Sequence, residues 1–234
     1  MQHVLVTGAG RGLGRALVSE LVDRKRIVIA LVRSKADDHA LTDQFREKVV
    51  PLCCDLTSPQ LEDQVRTFFR RSGIGALDCL VNNAGLSSHV APLADIDVSE
   101  VTRLLDVNLL GPIRMTKACL PQLLKSEAPL VLNISSRLGS LAGTARKDAP
   151  DGSYAYRISK AALNMFTLCM AIDPSLRGVK VLSMHPGSIR TAMGGAAAAE
   201  SAEAAAKKVV AVIDNISSVE SGAFLNAEGA RLEW

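Results

Sequence analysis

Seven short runs of aliphatic and β-branched residues punctuate the chain, and hardly any of them alternates with polar residues. They are Val4–Thr7, Ile27–Val32, Val49–Cys54, Leu77–Val81, Leu130–Ser135, Val179–Met184 and Ala223–Asn226. A strand that is apolar at nearly every position has both faces covered, which marks a parallel sheet layered between helices. The stretches between them include helix-length segments: Gly14–Arg24, Pro59–Arg71, Val101–Lys125, Tyr156–Ala171 and Glu200–Asn215. Ser58-Pro59 offers a capping hydroxyl followed by proline, which predicts a helix starting at Pro59. Strand–helix alternation with right-handed crossovers gives an α/β doubly wound sheet of about seven parallel strands, flanked by helices on both faces. No repeat or linker divides the chain, so residues 1–234 are expected to form a single domain.

Composition narrows the function. The chain is 48% hydrophobic and 22% charged, which excludes a disordered or collagenous protein. No apolar run reaches the ~18–20 residues of a membrane span, and Met1-Gln2-His3-Val4 enters a strand with no basic leader. The net charge is only +3 and the longest basic cluster is Arg24-Lys25-Arg26, so neither nucleic acid nor membrane is an expected partner. Cys53, Cys54, Cys79, Cys119 and Cys169 are odd in number and show no Cys-x-x-Cys or Cys/His spacing. They read as reduced packing thiols in a cytoplasmic protein without a metal. The alanine tracts 196–199 and 204–206 fit either an ordinary surface helix or a lid.

Four motifs carry chemistry. Thr7-Gly8-Ala9-Gly10-Arg11-Gly12-Leu13-Gly14 lies between the first strand and the first helix. Its glycines permit a tight turn and let backbone N–H groups approach a pyrophosphate at the helix N-terminus, where the dipole favours anions. No Gly-Lys-Ser/Thr closes it, so it is not a nucleotide-hydrolase loop, and Gly8-x3-Gly12-x-Gly14 also differs from Gly-x-Gly-x-x-Gly. The second strand ends at Val32-Arg33-Ser34. An acid at that place would hold the ribose hydroxyls of NAD, whereas arginine suits the 2′-phosphate of NADP. Either arginine alone is equally compatible with a solvated surface position. Together, Arg11 and Arg33 favour NADP(H) over NAD(H).

The third motif is Tyr156-Arg157-Ile158-Ser159-Lys160 in a helical segment, where residues four apart share a face. A free phenol titrates near ~10, and a neighbouring ammonium is expected to lower that value. The only other tyrosine, Tyr154, has Ile158 at the corresponding position. The fourth is Asn133-Ile134-Ser135-Ser136 at the end of the fifth strand, where ligands of such sheets bind. Strand alternation allows only one of the two serines to face the site, and the pattern leaves open which.

These motifs together resemble the short-chain dehydrogenase/reductase family over essentially the whole chain. Gly8, Arg11, Gly12, Leu13 and Gly14 resemble its cofactor turn, and Asp55 with Leu56 its adenine contact. Asn83, Ala84 and Gly85, after Asn82, resemble its segment beyond the fourth strand. Pro186, Gly187, Ile189 and Thr191 resemble the stretch beside the nicotinamide. Asn108, Ser136, Tyr156 and Lys160 match the catalytic four. Ser136 and Tyr156 stand 20 positions apart, more than in most members. The extra residues fall in Leu141–Asp151, and the surroundings are similar to C-factor-like and carbonyl-reductase-like members.

The resemblance implies a Rossmann-like fold and hydride transfer between NADP(H) and a small carbonyl or alcohol. Tyr156 would be the general acid/base, and Ser136 the donor to the developing oxyanion. Lys160 would lower the tyrosine pKa and hold the ribose, and Asn108 would serve a proton relay. It also implies a homodimer or homotetramer. A second reading is an NADP(H)-binding regulatory or signalling protein with little turnover. A third, nucleotide-sugar epimerase or dehydratase chemistry, is disfavoured because those relatives carry a separate substrate lobe. Segments Ser87–Pro92, Leu141–Asp151 and Ser188–Ala199 are expected to shape the substrate pocket. His185 and His89 are weaker site candidates, and His3 and His39 read as incidental.

Overall fold

The computed structural model describes residues 2–147 and 154–234. Seven parallel strands form one sheet: β1 (His3–Thr7), β2 (Ile27–Val32), β3 (Val49–Cys53), β4 (Cys79–Asn82), β5 (Leu130–Ile134), β6 (Lys180–His185) and β9 (Ala223–Asn226). Their order is β3-β2-β1-β4-β5-β6-β9. The chain winds outward from β1 to β3, then crosses back to β4, so the direction of winding reverses between β1 and β4. A crevice outside the carboxyl ends of the strands at that reversal is where such sheets bind ligands.

Alternation within each strand feeds two cores. Val4, Val6, Val28, Ala30, Leu130 and Leu132 pack with Leu17 and Leu21 of α1 (Gly12–Asp23) and Val209 of α8 (Ala202–Asp214). Leu5, Ile29, Leu80, Val131 and Val181 pack with Val65 and Phe69 of α3 (Leu61–Ser72). Met115 and Leu123 of α5 (Gly111–Leu123) and Met170 of α7 (Tyr154–Ile172) complete that second layer. Val4, Leu5 and Val6 are all fully buried. Continuous apolarity is thus explained by helices on both faces.

Several local expectations are corrected. Ser58-Pro59 does not start α3; Ser58 Oγ instead accepts the Gln60 N–H at 3.2 Å in a turn, and the helix begins at Leu61. The stretch expected as one helix over 101–125 begins earlier, as α4 (Val98–Leu105), and passes through a π-helical turn, Asp106–Leu110, into α5. Pro112 has no N–H to offer the carbonyl of Asn108, which an α-helix would pair with it, and the helix widens at that point. The polar helix α2 (Lys35–Phe45) buries only Leu41 of its residues, too little for a periodic signal; its start is marked by Ser34, whose Oγ accepts the Asp37 N–H.

The expected loop Leu141–Asp151 opens with a short helix, α6 (Leu141–Ala145), and its last four residues, 148–151, lie outside the described residues. Glu200–Ser201 form a two-residue strand, β8, paired with β7 (Ile189–Arg190), rather than the first residues of a helix. The second alanine tract is no exposed lid: Ala205 and Ala206 of α8 are fully buried. The first tract is pinned by Arg190, whose guanidinium donates to the carbonyls of Ala198 and Ala199 at 3.0 and 2.8 Å. Among the described residues no helix is long and apolar enough to cross a membrane.

Candidate active site

The glycine turn is held by what lies behind it. Thr7 Oγ1 accepts the N–H groups of Asn83 and Ala84, each at 3.0 Å, and Asn83 Nδ2 donates to the Thr7 carbonyl at 2.8 Å. This clamps the ends of β1 and β4 together. Gly8 has φ +68°, and a Cβ there would sit 2.9 Å from Ala84 Cα; one at Gly14 would lie 2.1 Å from the Gly8 carbonyl oxygen. A Cβ at Gly12 would come within 3.2 Å of Thr191 Cγ2, so the turn faces the segment after β6. Residue Arg11 occupies the N-cap position of α1, and its side chain makes no capping hydrogen bond to that helix. An uncapped N-terminus beside backbone stripped of side chains fits a pyrophosphate.

The side of the turn that faces the ends of β2 and β3 is exposed and charged. Arg11 and Arg33 are exposed. The carboxyl of Asp55 is held below its ordinary value, chiefly by the Thr57 N–H at 2.8 Å and with help from the Thr57 hydroxyl and the Arg33 charge; burial opposes them. The Leu56 carbonyl accepts from Arg114 at 3.0 Å, and Arg114 pairs with Asp106 at 2.7 Å. The side chains of Leu13 and Ile189 belong to the core, so only their backbone can meet a ligand. Gly187 sits at φ +93°, and among the described residues nothing lies within 4 Å of where a Cβ would stand.

At the other end the groups are buried and interlocked. Asn108 is fully buried in the π turn. Its Oδ1 accepts the Leu86 N–H at 2.8 Å, while Nδ2 donates to the Leu86 carbonyl and to Ser159 Oγ, both at 2.9 Å. Ser159 Oγ in turn donates to the Tyr156 carbonyl at 2.8 Å. Lys160 Nζ donates to the Ile134 carbonyl at 2.8 Å and lies 5.8 Å from the Tyr156 ring centroid. A Cβ at Gly85 would lie 3.3 Å from Asn108 Oδ1 and 3.6 Å from Lys160 Nζ, so Asn83–Gly85 passes directly over this pair.

Which serine faces the site is now decided. Ser136 is hydrogen-bonded to Tyr156. Ser135 Oγ donates to Asn164 Oδ1 at 2.6 Å, and Asn164 Nδ2 donates to the Gly139 carbonyl at 3.1 Å, which fastens the intervening turn to α7. The sequence reading left Ser159 and Asn164 unassigned. Their signal was their polarity on a helix face otherwise committed to packing, three and four residues from Tyr156 and Lys160.

One electrostatic expectation fails. The Tyr156 phenol is not lowered but raised, because burial penalises the phenolate more than the Ser136 hydrogen bond favours it. Burial likewise brings the Lys160 ammonium down to about 8. Among the described residues His185 Nδ1 is buried without a partner, and its imidazole is pushed down to about 4 by burial and the Arg137 charge, with Glu228 opposing. It is neutral at pH 7. His89 is exposed.

The sequence pattern of the short chain dehydrogenases matches residues 2–202. The chain belongs to that family. Among its relatives is C-signal of Myxococcus xanthus, 37% identical over 170 residues that span 73% of this chain and 100% of that protein. The 1-hydroxy-2-glutathionyl-2-methyl-3-butene dehydrogenase of Rhodococcus sp. (strain AD45) is 32% identical over the full length of both. In three dimensions the chain superposes on the carbonyl reductase Sniffer of D. melanogaster with a TM-score of 0.91, at 29% identity and full coverage of both. It superposes on an NADPH-bound carbonyl reductase from chicken fatty liver with a TM-score of 0.90, at 27% identity, covering 100% and 99% of the two chains. This short-chain dehydrogenase is thus an oxidoreductase family member whose fold neighbours include carbonyl reductases.

Proposed function

We propose that this short-chain dehydrogenase is an NADPH-dependent carbonyl reductase, interconverting a small aldehyde or ketone and its alcohol, with residues 1–234 acting as one catalytic unit. The observation that carries the reading is the Ser136–Tyr156 hydrogen bond, set beside buried Lys160 and Asn108 under a cradle that side chains cannot enter. Gly8, Gly12 and Gly14 would hold the pyrophosphate, and Arg11 and Arg33 the 2′-phosphate. Asp55 and Leu56 would border the adenine. Asn83, Ala84, Gly85, Pro186, Gly187, Ile189 and Thr191 would line the nicotinamide end. The bound nicotinamide supplies a hydride to the carbonyl carbon.

The chain's own groups handle the oxygen. A phenol kept protonated by burial is suited to donate its proton to that oxygen at neutral pH, which is the general-acid role of Tyr156. Ser136 donates a hydrogen bond to the same oxygen, and in a site from which water is excluded that donor counts most as negative charge develops. Lys160, fixed on the Ile134 carbonyl, would hold the ribose hydroxyls. Asn108 locks the π turn, and the carbonyl that Pro112 leaves without its α-helical partner would hold the water that returns protons. Exposed Val90, Leu93, Leu141 and Met193 on the segments around the cleft support an apolar substrate. Ile158, Met165 and Ile172, exposed at helical spacing on α7, support a homodimer or homotetramer. Five free thiols support a cytoplasmic location.

The test is NADPH oxidation against a panel of aldehydes, ketones, diketones and quinones. Turnover should fall ~10²–10⁴-fold in Tyr156→Phe while NADPH affinity stays within about twofold. Loss of NADPH binding in that variant would refute the assigned role. The identity to C-signal favours a second reading, an NADP(H)-binding signalling protein with little turnover. Tight NADPH binding with no compound reduced would support it.

A further inference from the structure

The acid that the end of β2 lacks is supplied from α2. Asp37 stands in the first turn of that helix, and its carboxylate backs directly onto the glycine turn: a Cβ at Gly10 would lie 2.8 Å from Asp37 Cγ and 2.9 Å from Oδ2. The carboxylate is oriented by Ser34, whose hydroxyl donates to Asp37 Oδ2 at 2.7 Å while accepting the Asp37 N–H at 3.1 Å. Asp37 thus sits next to Gly10, the residue between Ala9 and Arg11 in the turn, and lies four residues beyond Arg33. The neighbouring Asp38 is directed elsewhere, along the helix to Thr42 Oγ1 at 3.4 Å.

From this we infer that Asp37 is a specificity-determining residue that opposes the NADPH preference of Arg11 and Arg33, so that the chain takes up both NADPH and NADH. The inference rests on the cofactor reading above. A carboxylate beside a 2′-phosphate repels it, whereas beside a 2′-hydroxyl it carries no such penalty and can accept a hydrogen bond. Two exposed cations and one oriented anion at the same turn therefore pull the choice in opposite directions. A purely structural role for Asp37, as an acid favoured by the helix N-terminus, predicts no such discrimination.

Direct fluorescence titration of NADPH and NADH distinguishes the two, with no need for a substrate. Asp37→Asn should tighten NADPH about tenfold, as expected for removing one unit charge near a phosphate at intermediate dielectric. NADH should weaken or stay within about twofold, and the NADPH gain should shrink as salt screens the pair. Asp38→Asn removes the same charge one residue further on and should leave the ratio of affinities unchanged. Asp37→Ser, with thermal unfolding alongside, guards against a variant that misfolds. The inference is overturned if NADPH affinity is unmoved in both Asp37 variants, if both cofactors shift together, or if Asp38→Asn changes the ratio equally. If the unaltered protein binds neither nicotinamide, the cofactor reading itself fails and takes this inference with it.

Discussion

The two ends of the cleft are built in opposite ways. At the Tyr156 end the chemistry lies in buried, committed groups: Asn108 makes three hydrogen bonds, Lys160 is fixed on a strand carbonyl, and Ser135 is spent holding Asn164. At the glycine turn the chemistry lies in exposed charges, Arg11 and Arg33, around a backbone shaped by glycine. Buried polar groups are costly unless satisfied, so the first end specifies one geometry. Exposed charges are screened and cheap to change, so in the function proposed above the second would set cofactor preference rather than structure.

The comparison breaks most sharply at Asn108. Asn108→Leu would strand the Leu86 N–H and carbonyl and loosen Ser159, at about 1–3 kcal/mol for each buried group left unpaired. Urea denaturation should show a loss of about 3 kcal/mol or more, and turnover should fall with it. A cost near zero would mean that the interlocked end is not rigid. Arg33→Gln and Arg11→Gln should act differently, each weakening NADPH about tenfold through the lost charge. NADH affinity and urea midpoint should hardly move. Equal weakening of both cofactors would place these arginines on something other than the 2′-phosphate.

A third test is in pH. Burial lowers the Lys160 ammonium from the ordinary 10.5 to about 8. Between those values the unfolded chain binds more protons than the folded one, so folding stability must rise with pH across that window. Relative to Lys160→Met, the cofactor-free protein should gain stability from about pH 8 to about pH 10.5 and show no trend below it. Unfolding curves at pH values below, within and above the window would check this. A flat difference throughout would show that water reaches Nζ.

What local chemistry writes into a sequence was legible: strands apolar on both faces, a glycine turn between strand and helix, and a tyrosine and lysine four apart on one helix. These depend on neighbours along the chain. Helix α2 escaped notice because it packs through little more than Leu41, and the onset of α3 was misplaced because the Ser58 hydroxyl serves a turn instead. The tertiary structure alone decided that Ser135 is turned to Asn164, that the phenol is raised rather than lowered, and that Asp37 lies against Gly10. Each of those depends on segments far apart in sequence and on how much water their packing removes, and neither quantity is written in any one stretch of the chain.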